Sequence, residues 1–169
     1  MLFQLIICVA LVACLEAKVL SIEKMEIDTD SNYVKVSANL HSMDGANVVN
    51  IDIDVLKDES DVQYQATVYR HNVDHFEHFY KSDLESGCSH GEIKDPVLIF
   101  IFKESQKFGN LTEACPLKIG HYQLRNFKID SGDLPHELPS GNYRFEFSAY
   151  IKKDGQLHDI YTDKYYFTS

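Results

Sequence analysis

The sequence predicts an all-β protein, a sandwich of antiparallel strands with one short helix. Three observations carry that expectation. Apolar and polar residues alternate over several segments, polar turns separate those segments at regular spacing, and one apolar stretch between Asp-Pro and Gly breaks the pattern. Successive strand residues point to opposite faces, so strict alternation marks a strand buried on one side only. Short alternating strands joined by polar turns are the pattern of a sandwich or barrel.

The chain begins with MLFQLIICVALVACLEA, apolar from Leu2 to Leu15 and uncharged before Glu16. That run is too short to span a bilayer and ends in small residues, so residues 1–17 read as a secretory signal and 18–169 as a single domain. Leu11–Cys14 also fits a lipoprotein processing pattern, a reading disfavoured by the lack of a basic residue near Met1.

The elements follow in order. In VLSIEKMEID the apolar set slips between Ile22 and Met25, which predicts a bulged strand. Val34, Val36, Ala38 and Leu40 share one face of the next strand. Val49, Ile51, Ile53 and Val55 share a face of the third, and Val62, Tyr64, Ala66 and Val68 of the fourth. SMDGAN and KDESD between them read as hairpin turns. DPVLIFIFKESQKFG reads as a helix, with Asp95 as N-cap, Pro96 at the first helical position and Gly109 at the stop. A buried strand over Val97–Phe102 is the alternative, and six consecutive apolar residues exceed what one helical face needs. HYQLRNFKI changes phase near Asn126, predicting a second bulge. Tyr143, Phe145, Phe147, Ala149 and Ile151 then alternate with Arg144, Glu146, Ser148 and Lys152, which places the aromatics inside and the charges in water. KKDGQ turns the last hairpin, and the pattern of HDIYTDKYYF leaves its buried face open.

Composition narrows the chemistry. With 26 acidic against 16 basic residues the formal charge is −10. No Lys/Arg cluster is available to neutralise phosphates, which argues against nucleic acid and anionic membranes as partners. No second apolar run approaches membrane-spanning length. In an oxidising compartment Cys88 and Cys115, the two cysteines outside the signal, are expected to pair; two buried free thiols are the alternative. His71, His75 and His78 would share one face of a helix, yet the segment lacks the order of a metalloprotease and reads as a solvated connection without a metal. No nucleophile elbow and no Gly-rich phosphate loop is present, and the carboxylates sit on solvent parity, so a non-enzyme without a cofactor is expected. Asn110-Leu111-Thr112 is a glycosylation sequon.

Cys115-Pro116, Gly120-His121-Tyr122, Leu134-Pro135 and Leu138-Pro139-Ser140-Gly141-Asn142-Tyr143-Arg144 occur in series. This series resembles the C-terminal half of the lipid-recognition superfamily that includes the lysosomal ganglioside activator. It is most similar to an insect branch of secreted proteins containing the CheA and CheB chemosensory proteins. The resemblance covers about residues 88–150, and this chain departs from the ganglioside activator in having one cysteine pair where that protein has several disulfides. It implies an immunoglobulin-like β-sandwich or β-cup whose sheets splay around an apolar ligand. It further implies a cavity lined by Leu98, Phe100, Tyr122, Leu124, Phe127, Tyr143, Phe145 and Phe147. The function so implied is a secreted, monomeric carrier of lipid or another small hydrophobic ligand, used in chemosensation, with a protein receptor as a further candidate partner. The competing reading is a protein-binding domain with a filled core.

Overall fold

The computed structural model describes residues 19–87, 93–110, 116–134 and 138–169. The expected signal, Cys88, Cys115 and the last two sequon residues lie outside them. The described residues form eleven strands and one α-helix: β1 (Val19–Leu20), β2 (Ile22–Thr29), β3 (Val34–Met43), β4 (Ala46–Val55), β5 (Val62–Asn72), β6 (His75–Lys81), β7 (Glu85–Ser86), α1 (Pro96–Phe108), β8 (Gly120–Phe127), β9 (Ile129–Asp130), β10 (Asn142–Lys153) and β11 (Gln156–Thr168). The protein is an all-β sandwich of antiparallel strands with one short helix.

The larger sheet runs β2-β11-β10-β5-β6, with β7 also paired to β5; the second runs β3-β4-β8, and β1 pairs with β9. β2 approaches β3 and β4 on one side of the sandwich, while α1 packs against β8 and β5 on the other. The helix therefore forms a wall between two sheets that do not meet there.

Local chemistry accounts for the punctuation. Asp44 and Gly45 at the β3–β4 turn, and Asp154 and Gly155 at the β10–β11 turn, all have positive φ. Two-residue Asp-Gly loops of this hand match the twist of paired strands. KDESD is different: β4 and β5 lie in different sheets, so this segment crosses the sandwich and is not a hairpin turn. Turn-forming residues announce a change of direction without specifying the sheet in which the next strand pairs.

Both expected bulges occur. Phe167 pairs with Ile22 and Tyr166 with Lys24, leaving Glu23 as the extra residue. Val49 pairs with Phe127 and Ile51 with Leu124, and Asn126 takes a φ of 56° at the irregularity. The Asn50 side chain accepts the Asn126 N–H at 2.8 Å, filling the bond the ladder loses there.

α1 starts as its sequence requires. Asp95 Oδ1 accepts from the N–H groups of Val97 and Leu98 at 2.9 and 3.0 Å, and Pro96 occupies the first helical position. The stop has a different cause from the one expected. Gly109 is extended, and a Cβ there would lie 1.7 Å from the Gln123 carbonyl oxygen. Glycine is needed because the helix end docks against the β8 backbone.

His71 lies on β5, and His75 and His78 lie on β6, so the helical face supposed for them does not exist. His75 bonds instead to Asp74 and Glu77 at 2.9 and 3.0 Å. The alternation of β10 places Tyr143 and Phe145 inside, but Arg144 and Glu146 are not freely solvated. The Arg144 guanidinium lies 4.1 Å from the Tyr69 ring centre and 4.9 Å from that of Phe76. Neighbouring strands put aromatics on the outer face too, which one strand's alternation cannot reveal.

Candidate functional site

A cavity of about 120 Å³ lies between the two sheets and α1. Its floor is β10 and β11, through Phe145, Phe147, Ala149, Tyr161, Asp163 and Tyr165. Its roof is β3, β4 and β8, including Ile51, Ile53, Tyr122, Leu124 and Phe127. Ile101, Phe102 and Ser105 of α1 form the side wall. Spacing of three and four residues puts these three on one helical stripe, which is why α1 presents them together.

A second cavity, of about 220 Å³, lies toward the other end of α1. Phe100 and Val97 contribute from the helix, Phe79 and Tyr80 from β6, and Leu134 and Leu138 from the segment before β10. Ile101, Ile129 and Phe145 line both spaces, so these three side chains stand between them. Among the described residues, the wall of the second cavity comprises apolar side chains and Tyr80.

Of the eight residues expected to line a cavity, Tyr122, Leu124, Phe127, Phe145 and Phe147 line the first, and Phe100 and Phe145 the second. Leu98 and Tyr143 line neither. Leu98 is fully buried in the packed core. Tyr143 stacks on Phe167 at 5.7 Å, meets the edge of Phe79, and donates its hydroxyl to the Pro139 carbonyl at 2.5 Å. These contacts fill the space around the Tyr143 ring.

Aromatic contacts set the shape of the first cavity. Tyr64 stacks on Phe147 with centroids 5.7 Å apart, and Phe102 meets Tyr64 edge-on at 5.1 Å. Phe108 closes the helix end against Phe127 at 5.6 Å. Burial, with a smaller contribution from Tyr122, pushes the Tyr64 hydroxyl up to about 12.

The group not anticipated is Asp163. It lies on the inner face of β11, opposite Phe147, and is 5% exposed. Tyr161 and Tyr165 both donate their hydroxyls to its Oδ2, each at 2.7 Å. Oδ1 has no hydrogen-bond partner. Burial pushes the carboxyl up to about 6, against the lowering effect of the two hydroxyls and of the nearby Phe147 and Asp163 backbone N–H groups. Burial raises both tyrosines far above their usual range, and the neighbouring carboxylate adds to it.

This corrects the expectation that the carboxylates face solvent. The signal lay in YTDKYYF: Asp163 stands two residues from a tyrosine on either side, hence on the same face as both.

Asn110 is exposed at the end of α1. Its Oδ1 accepts the Gln123 N–H at 2.6 Å, and its Nδ2 donates to the His121 carbonyl at 3.1 Å. The amide of the expected sequon is thus bound to the edge of β8.

A family model described as protein of unknown function (DUF1091) matches residues 49–145, more than half of the chain. The chain belongs to the DUF1091 family. No curated protein matches it. The DUF1091 match runs from within β4 to the first part of β10, taking in α1 and the β4 and β8 part of the cavity roof. In this DUF1091 protein the Tyr161-Asp163-Tyr165 group falls beyond the matched stretch.

Among the described residues no group of three or more His, Cys, Asp or Glu side chains has the geometry to hold a metal ion. No helix there is long and apolar enough to cross a membrane.

Proposed function

We propose that the protein is a secreted, non-catalytic carrier of lipid or another small hydrophobic ligand. The observation that carries this reading is the pair of apolar spaces held open between splayed sheets by α1. Ligand pockets are concave, mostly apolar and provided with few polar groups. Each space is below the roughly 300 Å³ at which such pockets usually begin. A ligand longer than a few carbons would therefore need to displace Ile101, Ile129 or Phe145 and occupy both. The resemblance of the Cys115–Arg144 motifs to the ganglioside-activator superfamily supports the same reading, and its insect chemosensory branch suggests the use.

Among the described residues, the polar groups of the first cavity are one carboxyl, four tyrosines and one serine. No histidine, cysteine or lysine among the described residues stands in that wall as a base for nucleophilic attack. A binding role suits that wall better than a catalytic one.

Native mass spectrometry of the secreted protein, with extraction and identification of what it retains, tests the proposal. A co-purifying hydrophobe, or uptake of a fluorescent apolar probe, is the expected result. A clean mass with no uptake would refute the carrier and favour a protein-binding domain with a filled core.

A further inference from the structure

β6 is an edge strand of the larger sheet, and it carries a bulge. Val68 pairs with Tyr80 and Tyr69 with His78, which leaves Phe79 as the extra residue. Consecutive residues of a regular strand face opposite sides, and a bulge at an edge re-aims a side chain. Phe79 and Tyr80 accordingly both line the second cavity. Phe79 is also 43% exposed. Among the described residues, every other side chain in the wall of either cavity is buried or half-buried. Phe79 therefore marks the place where the apolar interior meets solvent.

The rim beside it carries a cation. Phe79 meets the edge of Tyr143, and Tyr143 pairs across the ladder with the exposed Arg70. Cross-strand partners share a face, so Arg70 stands on the side of the sheet that holds the cavity. A Cβ on Gly141 would lie 3.3 Å from Arg70 Nε and 3.7 Å from the Tyr143 ring, which sets the guanidinium alongside that ring. Arg70 Nη2 donates to the Ser140 carbonyl at 3.0 Å. A guanidinium has five donors in a fork that matches a carboxylate. Among the described residues no carboxylate lies within ion-pair distance of it. Glu77, opposite Arg70 on β6, is taken up by Asn72 and His75 at 3.1 and 3.0 Å.

We infer that the second cavity opens beside Phe79 and admits a single-chain amphiphile tail first, leaving a carboxylate head at the rim on Arg70. The inference rests on the carrier reading and adds an entrance, an orientation and a head-group class to it. The head stays outside because the Tyr80 hydroxyl in the wall is already given to Asp95. The formal charge of −10 opposes an acid at long range. Salt screens that field beyond about 10 Å, so contact with the guanidinium prevails.

The test compares octanoate with octanol, each displacing the apolar fluorophore N-phenyl-1-naphthylamine from the full secreted protein at about pH 7.5. The readout is the ratio of the two affinities, octanoate over octanol. Arg70→Gln should lower the ratio about threefold, the effect of losing one exposed ion pair, and Arg70→Lys should restore part of it. Raising sodium chloride from about 50 to about 500 mM should lower the ratio for the native protein, whereas repulsion by the acidic chain would raise it. The sequence has no tryptophan. Phe79→Trp thus places a single indole at the mouth, which 2-bromooctanoate should quench more than 8-bromooctanoate. Should Arg70→Gln not fold, the salt series on the native protein decides the head group. A ratio that rises with salt, or that Arg70→Gln leaves unchanged, overturns the rim site. Stronger quenching by the 8-bromo acid overturns the orientation. Both results leave the carrier reading standing, while no uptake of fluorophore or of either ligand overturns the two together.

Discussion

Removing the charge of Asp163 should reverse part of the protein's dependence on pH. Its carboxyl is pushed up to about 6 in the folded chain, chiefly by burial, against an ordinary value of 3.8. The folded state therefore binds this proton more tightly than the unfolded chain. Stability from this group is fully present below about pH 4 and is lost as pH rises through about 6. At about 1.4 kcal/mol per decade of proton affinity, the loss is about 3 kcal/mol. Other carboxylates act in the opposite sense. Asp30, held at about 2 by the Asn32 backbone N–H and by His158, contributes fully above about pH 3.8 and loses that contribution as pH falls through about 2. The Asp163→Asn variant separates the two, because asparagine resembles the protonated acid and leaves Asp30 untouched. Urea unfolding of both proteins from pH 4 to 8 is the assay. The native protein should lose about 2.5 kcal/mol relative to the variant across that range, most of it between pH 4.5 and 6.5. A difference that stays constant, or one that favours the native protein as pH rises, would refute the assignment of Asp163 as a buried, destabilised carboxylate.

Four further outcomes are expected. Phe145→Ala, which removes a buried ring stacked on Tyr165, should cost about 3 kcal/mol in chemical denaturation; a cost under about 1 kcal/mol would mean the interior is loosely packed. Val73 is 91% exposed at the β5–β6 turn with a φ of 52°. Since that conformation is unfavourable for a β-branched side chain, Val73→Gly should raise stability by about 1 kcal/mol in the same assay. Gly109→Ala puts a methyl group against the Gln123 carbonyl and should lower the thermal midpoint by several degrees while freeing the end of α1, seen as faster amide exchange at Asn110 and Gln123. Phe100→Asp, at the wall of the second cavity, should weaken uptake of an apolar fluorophore more than it weakens folding; unchanged uptake by a folded variant would remove this residue from the ligand path.

Where a rule acts within a few residues, the chain states its own structure. Asp95-Pro96 caps and starts α1, Asp-Gly closes two hairpins, and the phase slips at Glu23 and Asn126 mark bulges, because capping, turn handedness and strand parity are all local. The inner faces of β3, β4 and β10 follow from alternation for the same reason. Other features depend on which distant segment arrives. β11 carries tyrosines on both parities, and only its register against β10, shifted between Ala149 and Tyr150, turns Tyr161, Asp163 and Tyr165 inward. Leu98 and Phe102 look alike in a run of six apolar residues, yet packing buries the first completely and leaves the second on the cavity wall. The KDESD crossover, the gap between the sheets and the unmet oxygen of Asp163 belong to tertiary structure alone. Each is a relation between surfaces far apart in the chain, and side-chain periodicity within one segment contains no information about the partner that will face it.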